Sequence, residues 1–329
     1  MRHKFNSNFA ASDIISFVQG GFQTNFKSTS SIPSTFKTFS LTLLGRLSAT
    51  GFSCILCYLD PAYGGHQKFE TIANIFQAHQ INSPKILHHA SDLGVLIQED
   101  LGDLDLLVAL TRDNSKLLTF QSLDVLAAIH SIEPIDIPKL TLEGLRGEME
   151  LFCTIFCNQF LGLPDNLSLP SLIMHTSEQL TQQPWVNCHY DFERRNLMLS
   201  SSGQIHVIDF QDLCKGPIGI DLAGILVDHY LPADKSFISS AMEHFSSLVT
   251  SNQDIAYGYE IVRWGAIQRN MRILGVLARL FLEQDRDFRL KDMPMILSNL
   301  IAMVPSDVDC RDYMIAEIQP RLIQRLSVL

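Results

Sequence analysis

The chain has 329 residues, 46% hydrophobic and 18% charged, and a net charge of −10. That make-up describes a compact protein with a substantial core, long enough for two domains or one large bilobal one. The negative balance argues against nucleic acid as the main partner, because binding it needs a basic footprint. No apolar run reaches the ~18 residues of a membrane span; Gly219 to Val227 is the nearest, and Asp221 interrupts it. Arg2 and Lys4 are not followed by an apolar h-region, so no secretory signal is read and the expected compartment is the cytoplasm.

In chain order, a short helix is expected around Asp13 to Val18, closed by Gly20-Gly21. Phe22 to Ser40 is rich in Ser and Thr and carries Lys27 and Lys37. It reads either as hydroxyl-rich turns that cradle phosphate with backbone N–H groups or as solvated loop. Neither common phosphate-loop motif is present in its standard form. Phe52 to Leu59 reads as a buried strand, and Phe69 to Gln80 has the periodicity of an amphipathic helix. Ile86 to His89 and Val95 to Gln98 flank Ser91-Asp92-Leu93-Gly94, a hairpin signal. Strand, helix, strand, strand is the order of a small α+β lobe on an antiparallel sheet. The seven cysteines include Cys54-x-x-Cys57 and Cys153-x-x-x-Cys157, but no zinc-finger spacing, so all are read as core thiols.

Gln98-Glu99-Asp100-Leu101-Gly102 leaves the sheet, and helical patterns take over from Leu104. A connector of this kind suits a base-binding crevice, with the carbonyl of Glu99 and the N–H of Leu101 as candidate adenine contacts, or it is an ordinary linker. Helical segments are expected at 104–110, 117–132, 141–160 and 171–182. Residues 187 to 212 then read N-C-H-Y-D-F-E-R-R-N-L-M-L-S-S-S-G-Q-I-H-V-I-D-F-Q-D. A loop with His189, Asp191 and Asn196 precedes a hairpin of Leu197–Leu199 and Ile205–Ile208, which ends at Asp209. Asp191, Asn196 and Asp209 are hard oxygen ligands: one carboxylate and the carboxamide can hold Mg²⁺, and the other carboxylate can take a proton. That is the chemistry of phosphoryl transfer from a nucleotide. Asp221 is placed to cap the following helix or to accept hydrogen bonds from the loop. Further helices are expected at 235–250 and 254–283. The last has an apolar stripe (Ile261, Trp264, Ile267, Met271, Leu274, Leu277), and its arginines read as a solvated face. An Arg within Gln268-Arg269-Asn270 could instead grip a substrate carboxylate.

His189 to Met198, followed by Val207-Ile208-Asp209-Phe210-Gln211-Asp212, resembles the aminoglycoside phosphotransferase-like kinases. Within them the likeness is to the bacterial N-acetylmuramate/N-acetylglucosamine anomeric kinases of cell-wall recycling. Glu99-Asp100-Leu101-Gly102, Gly216-Pro217, Asp221-Leu222 and Gln268-Arg269 add to it. The resemblance implies a bilobal, protein-kinase-like α+β fold. Its small antiparallel-sheet lobe would span residues 1–100 and its larger, mainly helical lobe residues 101–329. It implies Asp191 as catalytic base, Asn196 and Asp209 as Mg²⁺ ligands, and His189 as a packing residue of the loop. ATP would be bound by Glu99, Leu101 and Lys37, and the amino sugar by Arg195, Gln211 and Arg269. Acceptors within the same fold include aminoglycosides, choline and homoserine; a nucleotide-binding scaffold without turnover is a further reading. Two departures stand out. Phe52 to Leu59 has no lysine for the α- and β-phosphates, which also leaves Glu70 without its expected partner. Glu193 stands where the resembled sugar kinases tend to carry His.

Overall fold

The computed structural model describes residues 43–49, 52–59, 66–133, 135–230, 234–249 and 258–329. The expected helix at Asp13–Val18, the Phe22–Ser40 stretch and Lys37 lie outside the described residues. The chain forms two compact units, one comprising the described part of Met1–Leu104 with Met198–Gln211, the other Asp105–Leu197 with Asp212–Leu329.

The first unit is built on an antiparallel sheet. Strands β1 (Leu43–Ala49), β2 (Phe52–Tyr58), β3 (Ile86–Ala90) and β4 (Val95–Glu99) lie in the order β1-β2-β4-β3. β2 and β4 are central and apolar, with Cys54, Leu56, Cys57, Val95, Leu96 and Ile97 all buried, as strands covered on their faces must be. Helix α1 (Gln67–Ala78) buries Ile72, Ala73 and Phe76, the stripe its periodicity predicts. Gly94, in the left-handed conformation at φ 64°, closes the turn between β3 and β4. β1 has no counterpart among the expected elements. It contains Gly45 and Arg46, poor strand formers, and is held by pairing along its whole length with β2.

In the second unit, α2 (Leu106–Ala109), α3 (Ser115–His130), α4 (Leu142–Leu151) and α5 (Ser168–Thr181) precede β5 (Trp185–Cys188). α4 runs on as a π-helical stretch to Phe160. Strands β6 (Leu197–Leu199) and β7 (Ile205–Val207) form the hairpin expected from the Ser202-Gly203 turn. Its body packs with the sheet unit, although the sequence assigned the whole of 101–329 to one domain. The reason lies in pairings that sequence does not display: Leu199 N–H donates to Leu104 O at 2.8 Å and Val207 N–H to Asn82 O at 2.8 Å. Phe210 also stacks on Phe69, centroid to centroid 4.5 Å, and packs on Phe76 at 5.0 Å. β8 (Cys214–Pro217) then pairs antiparallel with β5, Cys188 opposite Cys214.

Helices α6 (Gly219–Leu226), α7 (Lys235–Leu248), α8 (Gly258–Gln284), α9 (Met293–Met303), α10 (Asp309–Tyr313) and α11 (Gln319–Leu326) complete the unit. α8 is the axis of this unit: Trp264, Ile267, Met271, Leu274 and Leu277 are buried, as their spacing predicts. Its middle is buried all round, and Gln268, Arg269 and Asn270 are no more than 1% exposed. The reading of its arginines as a solvated face is therefore corrected at Arg269. α6 lies directly on α8, because a Cβ on Gly265 would run into Gly219 O. All seven cysteines are free, and six of them are buried. Burial pushes Cys57 up to about 12, the behaviour of a core thiol. No helix among the described residues is long and apolar enough to cross a membrane.

Candidate active site

The loop after β5 is held by one buried carboxylate. Asp221 is fully buried in the first turn of α6. Its Oδ2 accepts the backbone N–H of His189 at 2.6 Å and its Oδ1 that of Tyr190 at 2.8 Å. The helix starts at Gly219 after Ile218, so Asp221 is not its cap, and acceptance from the loop is its role. These charge-assisted bonds fix Tyr190 at φ 73°, a left-handed conformation that costs a non-glycine residue ~1–3 kcal/mol. The tyrosine is gripped at its other end, where its hydroxyl donates to Glu148 and Arg272 lies 4.4 Å over its ring. Phe192 O rests where a Cβ on Gly224 would stand, so α6 accepts the loop only because that residue is glycine.

This frame presents Asp191 and Asn196 together. Asn196 ends a single 3₁₀ turn, Arg194–Asn196, and its Nδ2 donates to Asp191 O at 2.8 Å. Glu193 N–H donates to the same carbonyl at 2.9 Å, and Asn196 N–H donates to Glu193 O at 2.8 Å. With Nδ2 given to Asp191 O, the carbonyl oxygen of Asn196 is a donor of the hard type a metal ion takes. The Asp191 side chain keeps 46% exposure, and among the described residues its nearest cations are Arg269 at 3.7 Å and Arg272 at 3.9 Å.

Charge around the loop is dense and balanced. Glu193, buried, accepts from Arg269 NH2 at 2.9 Å and has Arg289 at 3.9 Å on its other oxygen. Burial alone would raise its pKa, but Arg269, Arg289 and Arg195 overcome that and lower it to about 2. Asp191 is moved the other way: the protein packed around its carboxylate and then the charge of Glu193 raise it, against the pull of Arg272 and Arg269. A carboxylate raised in this way is better suited to take a proton near neutrality. Beside them, Asp292 accepts from Arg289 at 3.2 Å and Arg195 at 3.3 Å, and Arg195 also lies 5.1 Å over the ring of Tyr230. Arg194 points inward instead, donating to Asp228 at 2.5 Å and to Thr119 Oγ1 at 3.0 Å.

The other candidates fall in the sheet unit. Asp209 is exposed at φ 61°, two residues beyond β7, and its Oδ1 accepts from Gln211 Nε2 at 2.7 Å. Its second oxygen, like the carbonyl of Asn196, is a hard donor of the type Mg²⁺ takes, so both residues fit that ion. Glu99 ends β4, where its N–H donates to Lys85 O at 2.8 Å, and half-buried Leu101 follows. Among the described residues, the cation nearest this connector is Arg46 of β1, which pairs with Asp100 at 2.8 Å and Asp103 at 2.7 Å. Glu70 has a different partner from the lysine first considered: His89 Nδ1 of β3 lies 2.9 Å from its carboxylate.

Several residues of the loop's surroundings escaped the sequence reading. Glu148, His130 and Arg272 come from three helices, Arg289 and Asp292 from the turn and 3₁₀ segment after α8, and Tyr190 and Glu193 from the loop itself, and no spacing links them. Glu193 alone carried a signal, as a charge where the resembled kinases have His. His130, Cys188 and Asp221 bring ligand atoms within 4.8 Å of one another. Both Asp221 oxygens are occupied by backbone N–H groups, and the Cys188 thiol, pushed far up by burial, donates to Gly216 O at 3.2 Å. That trio supports the loop and is not a metal centre.

A loop-borne carboxylate and carboxamide, locked by a buried aspartate on a following helix, define a kinase-like phosphotransferase. The model of the phosphotransferase enzyme family, APH, matches residues 64–254, and the chain belongs to that family. It is an ATP-dependent phosphotransferase. Among curated proteins it is similar to the N-acetylmuramate/N-acetylglucosamine kinase of Neisseria meningitidis, 27% identical over 234 residues, covering 67% of this chain and 70% of the relative. The protein of the same name from Pseudomonas putida is 25% identical over 262 residues, 76% of each chain. Among solved structures, choline kinase from Streptococcus pneumoniae superposes with a TM-score of 0.63 at 13% identity, covering 88% of this chain and 98% of that one. Spectinomycin phosphotransferase, solved with ADP and spectinomycin, gives 0.61 at 16% identity, covering 95% and 99%. At such identities the structural likeness carries the fold.

Proposed function

We propose that the protein transfers the γ-phosphoryl group of ATP to the anomeric hydroxyl of an N-acetylated amino sugar, N-acetylmuramate or N-acetylglucosamine, giving the sugar 1-phosphate used in peptidoglycan recycling. The observation that carries the chemistry is Asp191: a solvent-reaching carboxylate on a backbone locked by Asp221, with no cation among the described residues in direct hydrogen-bond contact. The acceptor hydroxyl gives its proton to Asp191 as its oxygen bonds to the γ-phosphorus; the bond to the β,γ-bridging oxygen breaks and ADP leaves. Positioning and charge stabilisation do most of the work in such a transfer. When bound, Mg²⁺ would neutralise charge on the phosphates, and Asn196 and Asp209 would each offer it an oxygen. Glu99 and Leu101 are proposed to meet the base, and Arg195 and Gln211 the acceptor; Arg269, 2% exposed and bound to Glu193, is assigned to the loop instead.

The sugar assignment rests on the names of the curated relatives. The test is incubation of the protein with ATP and Mg²⁺ and, separately, N-acetylmuramate, N-acetylglucosamine, kanamycin and choline, reading products by mass spectrometry. Sugar 1-phosphate is the expected product. Phosphorylated kanamycin or choline would replace the acceptor, and ATP binding without any turnover would replace catalysis by a scaffold role. Both sugars carry neighbouring hydroxyls, so the site of phosphorylation is read from the ³¹P–¹H coupling of the product.

A further inference from the structure

Arg269 is a buried guanidinium placed between two carboxylates of one loop. Its side chain is 2% exposed, so protein groups and not water must balance its charge. Glu193 Oε2 lies at 2.9 Å from its NH2, a charge-assisted hydrogen bond, while Asp191 Oδ1 lies at 3.7 Å from the same nitrogen, outside hydrogen-bond distance. Glu193 is itself held, with Arg289 at 3.9 Å on its second oxygen and its backbone N–H donating to Asp191 O at 2.9 Å. Arg272 shows the same diversion. It stands 3.9 Å from Asp191, but its NH2 donates to Tyr190 O at 3.2 Å and its plane covers the Tyr190 ring. Each arginine nearest the base is thus engaged by another acceptor.

We infer that Glu193 is a positioning residue that draws Arg269 away from Asp191 and so keeps the base's carboxylate open to the acceptor hydroxyl. The inference rests on the reading of Asp191 as the base. A buried guanidinium deprived of Glu193 has Asp191 as its next carboxylate, and a direct hydrogen-bonded pair there would occupy the oxygen that the hydroxyl needs. Arg269 then acts as an inhibitor of the base when unpaired, and Glu193 as the residue that prevents it.

The test compares Glu193→Gln, the double variant Glu193→Gln/Arg269→Gln, and Asp191→Asn in steady-state assays at saturating ATP and sugar, with thermal melting of each. Glu193→Gln is expected to lower kcat by about tenfold or more, with the KM for ATP changed less than about twofold. The double variant, in which Arg269 can no longer capture the base and Arg272 stays on Tyr190 O, is expected to recover most of that loss. Restoration by a second deletion is an outcome that loss of packing alone would not give. A Glu193→Gln protein with undiminished kcat overturns the inference, and so does a folded double variant as slow as the single one. If Glu193→Gln does not fold, the double variant decides alone: folded and active supports the inference, folded and inactive overturns it. Asp191→Asn separates the two levels: if that variant turns over normally, the base assignment fails irrespective of Glu193.

Discussion

At the scale of residues, the proposed chemistry depends on how differently the loop treats two of its carboxylates. Glu193 is buried among arginines and stays ionised; Asp191, two residues earlier, reaches solvent and is raised. Asp191→Asn is expected to cut kcat by ~10²–10⁴-fold and to leave nucleotide affinity, measured by calorimetry, nearly unchanged. The pH profile follows from the direction of the shift. A raised base is protonated at higher pH than an ordinary aspartate, so the acidic limb of kcat/KM should lie above the usual 3.8. A limb at or below that value would contradict the environment described for Asp191.

At the scale of elements, α6 is the part on which the loop depends. It supplies Asp221 to two backbone N–H groups, approaches Phe192 O through Gly224, and lies against α8 through Gly219 and Gly265. Gly265→Ala should therefore lower stability by ~1–3 kcal/mol or more, since the new methyl meets backbone that cannot rotate away; denaturant unfolding measures it. Gly224→Ala pushes on the loop itself, and kcat should fall further than the melting temperature implies. His130, at the end of α3, stands behind the same carboxylate with Nε2 3.5 Å from Asp221 Oδ2. Asp221→Asn would set an amide donor against one of the loop's N–H groups, at a cost of ~1–3 kcal/mol and with loss of turnover.

At the scale of the whole molecule, acid sensitivity is set by the ion pairs around the loop. Glu193 and Asp292 are each lowered to about 2 in the folded protein. A depressed carboxylate contributes stability that is fully present above its unfolded value and is lost as pH falls through the folded one. The helical unit should accordingly keep these contributions above about pH 4.5 and lose them progressively towards pH 2, as followed by circular dichroism. Chelation by excess EDTA should abolish phosphoryl transfer without unfolding the chain, because the loop is held by Asp221 and by the ion pair of Glu193 with Arg269. Unfolding on chelation would instead assign the ion a structural role.

The spaced motif from His189 to Asp209 was legible because phosphoryl transfer needs a few oxygen donors at fixed intervals along one loop and hairpin. The amphipathic helices and central strands were legible for a similar reason, since burial of one face imposes a period on the sequence. β1 was not, because Gly45 and Arg46 interrupt its pattern and its strand state comes from pairing with β2. Nor was the attachment of 198–211 to the sheet unit, which depends on two backbone bonds and the stacking of Phe210. By itself the sequence determined the class of reaction and the identity of Asp191, Asn196 and Asp209 as its candidates. Only the tertiary structure decided that Asp221 locks the loop and that Arg269 is buried against Glu193. Contacts between a helix and a distant loop leave no periodicity in the chain, so the partners appear only when the two are packed.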